Sequence, residues 1–131
     1  IESIDTIFLW KKSYELFKSD IEVNFPGKKL VVFSTTLQDE NIKIIRKNIT
    51  AEIEKIKSEQ WKNIWMFWWA SLSKTLMDLQ LIDQIQMWVH PIILWWWTPL
   101  FHKSDRRIKL ELISNEKFSS WMIILKYNVR Y

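Results

Sequence analysis

The chain has 131 residues, 48% of them apolar, with 19 Lys and Arg against 15 Asp and Glu for a net charge of +4. This is the composition of one globular domain, 1–131, large enough to bury about two-thirds of its unfolded surface. It holds no apolar run near the 18 or so residues of a membrane span, no cysteine for a disulfide, thiolate metal site or nucleophile, and lysines interspersed with acids, a solvated face rather than a nucleic-acid stripe.

The opening IESIDTIFLW carries acids where a signal peptide has a basic region, so no signal peptide is expected. The abrupt start implies a missing N-terminal piece. The lack of cysteine fits a reducing, cytoplasmic setting.

DTIFLW (5–10) reads as a strand and KKSYELF (11–17) as a helix, with Tyr14, Leu16 and Phe17 apolar. The PG dipeptide within 24–29 marks a turn, KLVVFS (29–34) a buried strand and IKIIR (42–46) another. ITAEIEKIKSEQ (49–60) reads as a helix capped by Thr50, with Ile53 and Ile56 in its apolar stripe. NIWMF (63–67) is a strand, WW a bend, and ASLSKTLMDLQ (70–80) a helix burying Leu72, Leu76 and Leu79. Strand periodicity runs on through DQIQMWVHPIIL (83–94), and IKLELIS (108–114) and MIILKYNVRY (122–131) form a hairpin around Asn115 to Trp121. Strand–helix alternation followed by strands predicts an α/β three-layer sandwich, with a mostly parallel central sheet and an antiparallel hairpin at its C-terminal edge.

Ten tryptophans accompany a single glycine, whereas glycine is normally about 7% of a globular chain. Trp65 and Trp88 lie inside strand-like runs, but Trp10, Trp61, Trp68, Trp69, Trp95, Trp96, Trp97 and Trp121 stand at turns or helix starts. Turns that need positive φ call for glycine, which has no Cβ to clash. These eight are read as glycine positions occupied by tryptophan.

Parallel sheets bind ligands at the carboxyl ends of their strands. Three such ends, LWKKS (9–13), FSTT (33–36) and FWWASLSK (67–74), each pair a glycine-like position or hydroxyls with the start of a helix or loop. Helix N-termini attract phosphate, and lysine and hydroxyl side chains add charge-assisted bonds. By itself each motif also reads as an ordinary helix start or turn. Together they suggest a nucleotide cradle. His90 and His102 stand apart with no matched carboxylate cluster, so no metal site is expected, and the four methionines read as core filler.

With glycine at the eight positions, LGKKSYE, FGGASLSKTLMDLQLIDQIQ, VHPIILGGGTPLF and SSGMIILKY resemble the dihydrofolate-reductase fold. They are most similar to bacterial reductases like the C-terminal domain of the riboflavin-biosynthesis deaminase-reductase, from about residue 5 to 131. The resemblance implies an NADPH-dependent reductase delivering hydride to a pterin-like or ribosylamino-pyrimidine-like small molecule. It places Trp10, Lys11, Lys12 and Ser13 at a pyrophosphate-binding helix start, and Ser34, Thr35 and Thr36 in the motif beside the adenosine ribose and its 2′-phosphate. It places Trp68, Trp69, Ala70, Ser71 and Leu72 in the cofactor-facing glycine-rich loop.

Three departures stand against the family pattern. Thr35 replaces a common arginine. The strand and helix that carry the family's proton-relaying carboxylate are absent, so no catalytic acid is assigned, and nothing in the pattern singles out Glu2 or Asp5 for the role. Indoles at Trp68 and Trp69 crowd the backbone approach to pyrophosphate, so the functional reading refers to the glycine-bearing chain. Exposed strands at the C-terminal edge suit a homodimer, and no nucleic-acid or membrane partner is expected. The alternative is a non-catalytic nucleotide-binding or interaction protein that retains the fold.

Overall fold

The computed structural model describes residues 2–59, 62–67 and 70–131. The chain divides into two compact units, 1–72 and 73–131, with the division inside a helix.

The first unit is built on a four-stranded parallel sheet. Its strands are β1 (Ile4–Trp10), β2 (Lys29–Phe33), β3 (Lys43–Ile45) and β4 (Asn63–Met66), in the spatial order β3-β2-β1-β4. Between them run α1 (Lys11–Asn24) and α2 (Ile49–Glu59), and α3 (Ala70–Asp78) follows β4. The α/β alternation is therefore as the sequence predicts. α1 is twice as long as its apolar spacing suggests, because Ile21 is buried while Leu16 and Val23 stay exposed. It stops at Phe25, whose N–H still reaches the Ile21 carbonyl, and Gly27 at φ 75° turns the chain into β2.

Alternation along β1 and β2 sorts their side chains onto two faces. Ile7, Leu9 and Val32 form the core with Tyr14 and Ile21 of α1, and Phe17, Phe25, Leu30, Trp65 and Phe67 close around it. Trp65 packs against Phe25 (5.3 Å between centroids) and Phe67 (5.7 Å), so it is a structural tryptophan, as its strand context implies. From the other face, Phe8 meets Phe33 edge to face at 5.2 Å.

Two local expectations fail. Thr50 lies within α2, and Asn48, at φ 52°, precedes the helix and accepts the Glu52 N–H. Leu72 and Leu76 are buried, but Leu79 is exposed because α3 ends at Asp78 and Gln80 turns at φ 58°.

The second unit carries a three-stranded antiparallel sheet in the order β5-β7-β6, from β5 (Gln84–Val89), β6 (Lys109–Lys117) and β7 (Ile123–Arg130). The predicted hairpin is β6–β7, with β6 running on to Lys117 and the turn correspondingly shorter. Strand structure stops at Val89, not at Leu94, since Pro91 has no N–H to offer a ladder. The Tyr131 hydroxyl donates to the Ile82 carbonyl at 3.0 Å, tying the end of β7 to the approach to β5. Among the described residues no helix is long and apolar enough to cross a membrane.

Positive φ outside glycine occurs, among the described residues, at Asn48, Gln80 and Trp121. Trp121 thus has the torsion that favours glycine. Trp10 does not, being extended at φ −81° and ψ 153°, and neither do Trp95, Trp96 or Trp97. The last three are 86%, 91% and 80% exposed, in a segment without regular structure. Trp61, Trp68 and Trp69 lie outside the described residues.

Candidate functional site at the carboxyl edge of the parallel sheet

The strand order reverses at β1: the chain moves outward from β1 to β2 and β3, then returns to place β4 on the other side of β1. A crevice beyond the carboxyl ends of β1 and β4 is the place where such sheets receive ligands. The Phe67 N–H still bonds to the Phe8 carbonyl at 2.9 Å, so the two strands run together up to this edge.

α1 begins directly at the end of β1, with Trp10 as its N-cap and no side-chain cap. No acid occupies the first turn, which holds Lys11 and Lys12. The N–H groups of the first turn carry the positive end of the helix dipole. Ser13 is fully buried in that turn, and its hydroxyl oxygen has no hydrogen-bond partner among the described residues. A buried hydroxyl without a partner costs about 1–3 kcal/mol.

The segment after β2 is strapped to α1. Lys11 Nζ donates to Thr36 Oγ1 at 2.9 Å, and the Tyr14 hydroxyl donates to Asp39 Oδ2 at 2.7 Å. Lys18 Nζ lies 3.4 Å from the same carboxylate oxygen. The Tyr14 hydrogen bond and that from the Asn41 N–H hold the Asp39 carboxyl down at about 2, and burial pushes the Tyr14 hydroxyl up. Ser34 Oγ accepts the Thr36 and Leu37 N–H groups at 3.1 and 3.0 Å, which folds the segment into a compact turn.

Of the residues singled out in the sequence, Trp10 to Ser13 and Ser34 to Thr36 therefore meet at one edge, joined by the Lys11–Thr36 bond. Thr35 and Thr36 are exposed, and Ser34 is buried. Ala70 and Ser71 open α3 beyond β4, while Leu72 is fully buried, a core position in the helix rather than a surface one. Trp68 and Trp69 lie outside the described residues. Glu2 precedes β1 and Asp5 lies near its start, so Asp5 is five residues, roughly 16 Å, from Trp10 at about 3.3 Å per strand residue. Neither carboxylate serves this edge.

Asp39 and Arg46 are the members that sequence reading missed. Arg46 Nη2 donates to the Leu37 carbonyl at 2.6 Å. Its position follows from register: Phe33 pairs with Ile45, so one step further sets Ser34 and Arg46 in a single row. A cavity of about 490 Å³ adjoins this row, lined by Gln38, Asp39, Glu40, Ile42, Ile44 and Arg46. Cations, hydroxyls and a helix N-terminus, the groups that favour phosphate, thus meet on one edge, with Asp39 and Glu40 in the same cavity wall.

No family model matches the chain. The uncharacterized protein YyaP of Bacillus subtilis (strain 168) is 32% identical over 142 residues, covering 98% of this chain and 76% of YyaP. The uncharacterized protein YwjB of the same organism is 31% identical over 122 residues, covering 89% and 70%. A solved structure from Shewanella sp. PV-4, assigned to riboflavin biosynthesis, superposes with a TM-score of 0.82 at 16% identity over 99% of this chain and 76% of its own. A pyrimidine reductase-like protein from Corynebacterium diphtheriae gives 0.70 at 12% over 97% and 76%. RibD of Acinetobacter baumannii gives 0.71 at 12%, covering 97% of this chain and 47% of RibD. The fold is that of the RibD reductase domain, as the resemblance implied.

Proposed function

Since the chain belongs to the family of YyaP and YwjB, we propose that it is an NADPH-dependent reductase acting on a small pterin-like or ribosylamino-pyrimidine-like molecule. The observation that carries this reading is the unpartnered Ser13 hydroxyl, buried in the uncapped first turn of α1. A pyrophosphate oxygen would complete it, with the first-turn N–H groups and Lys11 supplying charge complementarity. Ser34, Thr35 and Thr36, held beside that turn by Lys11, would take the adenosine ribose and its phosphate. Ala70 and Ser71 at the start of α3 would flank the other side of the crevice, with Leu72 anchoring them and Trp68 and Trp69 marking glycine positions.

When bound, NADPH supplies the hydride; the chain contributes affinity, orientation and exclusion of water. The relatives' names bear on the substrate: one solved neighbour is a pyrimidine reductase-like protein. A non-catalytic nucleotide-binding role is favoured by one feature, namely that Glu2 and Asp5 stand at the far end of β1 from the edge. The exposed edge strand β6 suits pairing with a second copy, and a cytoplasmic setting accords with the absence of cysteine.

The test is a titration of the chain carrying Trp10→Gly, Trp68→Gly and Trp69→Gly with NADPH, followed by cofactor fluorescence. Saturable binding, weakened roughly tenfold or more by Ser13→Ala as expected for one hydrogen bond to a charged group, supports the site. Hydride transfer to an added ribosylamino-pyrimidine separates the reductase from the binding protein. No saturable binding would exclude both.

A further inference from the structure

The turn that follows β2 is fastened to α1 twice, and the two fastenings differ in kind. Lys11 Nζ holds Thr36 Oγ1 at 2.9 Å in the open, with Glu15 Oε1 3.7 Å from the same ammonium. Asp39 is held from the buried side of the helix, where the Tyr14 hydroxyl donates to Oδ2 at 2.7 Å and Lys18 Nζ lies 3.4 Å from that oxygen. Tyr14 and Lys18 stand one helical turn apart and so share a face. Tyr14 is 3% exposed and belongs to the core with Leu9 and Val32, so its hydroxyl is a fixed anchor rather than one that follows the turn.

A phosphorylated ligand acts on these fastenings unequally. A phosphate oxygen carries charge and a threonine hydroxyl carries none, so an ammonium prefers the phosphate. Lys11 is therefore drawn from Thr36 as it takes up the ligand. Asp39 is not: Oδ2 is occupied by Tyr14 and Lys18, Oδ1 accepts the Asn41 N–H at 3.0 Å, and a carboxylate repels phosphate. The Thr36 and Leu37 N–H groups bonded to Ser34 Oγ keep the shape of the turn, but they do not fix its place on α1.

We propose that Asp39 is a positioning residue for nucleotide binding: clamped by Tyr14 and Lys18, it keeps the turn of Ser34 and Thr35 in place on α1 once Lys11 has turned to the ligand. This rests on the dinucleotide site proposed above. Asp39 itself touches no ligand. A turn already in place loses less conformational freedom on binding than one that must be ordered at that moment, and the difference appears as affinity.

The experiment is calorimetric titration with NADPH of the full chain carrying Trp10→Gly, Trp68→Gly and Trp69→Gly, before and after Tyr14→Phe, Asp39→Asn and the two together, with urea unfolding of each chain alongside. At a temperature where every variant is folded, each single change should weaken NADPH by about three- to tenfold. The double variant should bind no more weakly than Asp39→Asn alone, since both changes open one clamp. Inorganic pyrophosphate, too short to need the turn after β2, should bind every chain alike. Lower unfolding midpoints with unchanged NADPH affinity would mean that the clamp serves stability alone and would overturn the assignment, as would additive losses from the two single changes. Equal weakening of pyrophosphate would overturn it too, by locating the damage in α1. A parent that binds no NADPH would remove the underlying reading and this one with it.

Discussion

The Tyr14 hydroxyl donates to the Asp39 carboxylate at 2.7 Å across 25 residues of chain, from the buried side of α1 to the turn that follows β2. Lys18 lies against both partners, its Nζ 3.4 Å from the carboxylate and 5.2 Å from the centre of the Tyr14 ring. The pair fixes the turn bearing Ser34 and Thr36 relative to the first turn of α1, and so couples stability to site geometry.

That coupling is titratable. Asp39 falls from an ordinary 3.8 to about 2 in the folded chain, chiefly through the Tyr14 hydrogen bond. A carboxyl whose folded value is depressed stabilises the fold above its unfolded value and loses that contribution as pH falls through the folded one. Urea midpoints should therefore drop between about pH 4 and pH 2 in the parent, and less steeply in Asp39→Asn. Parallel slopes for the two chains would exclude the carboxylate as a stabilising group.

Leu9 is fully buried in β1 with Ile7 and Val32 around it. Leu9→Ala should cost about 2–5 kcal/mol, from lost transfer energy plus the cavity, whereas Val23→Ala, at a position 78% exposed, should stay within about 0.5 kcal/mol. Chemical denaturation of both variants checks the contrast. Similar losses at the two positions would contradict the orientation of α1 against the sheet.

Trp121 sits at φ 65° in the β6–β7 turn, its N–H bonded to the Phe118 carbonyl at 2.9 Å, while the Phe118 N–H closes on Met122. This is a hairpin turn whose left-handed position favours glycine. The torsion costs a non-glycine residue about 1–2 kcal/mol, against about 0.5–1 kcal/mol from Lys117, 4.5 Å above the indole. Trp121→Gly should therefore stabilise the chain slightly, by up to about 1 kcal/mol in equilibrium unfolding. A loss of stability would mean that the ring contacts outweigh the torsion.

Trp95, Trp96 and Trp97 gain nothing from burial, since all three project into solvent beside exposed Ile92, Ile93 and Leu94. Contiguous apolar surface of this kind promotes association. Replacing the three by glycine should raise solubility and leave the unfolding midpoint nearly unchanged. Static light scattering with denaturation in parallel reads both quantities, and a sharply lowered midpoint would show the indoles to be structural.

The alternation of strands and helices was legible in the sequence because periods of 2 and 3.6 are local properties, set by which neighbours along the chain share a face. β1, β2 and β4 and the starts of α1 and α3 came from such patterns, and so did the hydroxyl and lysine motifs at their ends. The length of α1 beyond Phe17 did not, because Ile21 earns its place only against the sheet. The end of β5 at Val89 was obscured because apolar residues continue past Pro91 with no strand to pair with.

By itself, then, the sequence determined the α/β class and two of the segments that meet at the carboxyl edge. Tertiary structure alone decided that β1 lies between β2 and β4, that Asp39 returns to Tyr14, and that Arg46 comes beside Ser34. The physical reason is that strand order and register are set by hydrogen bonds and side-chain packing between segments distant along the chain, which leave no periodic trace in either segment.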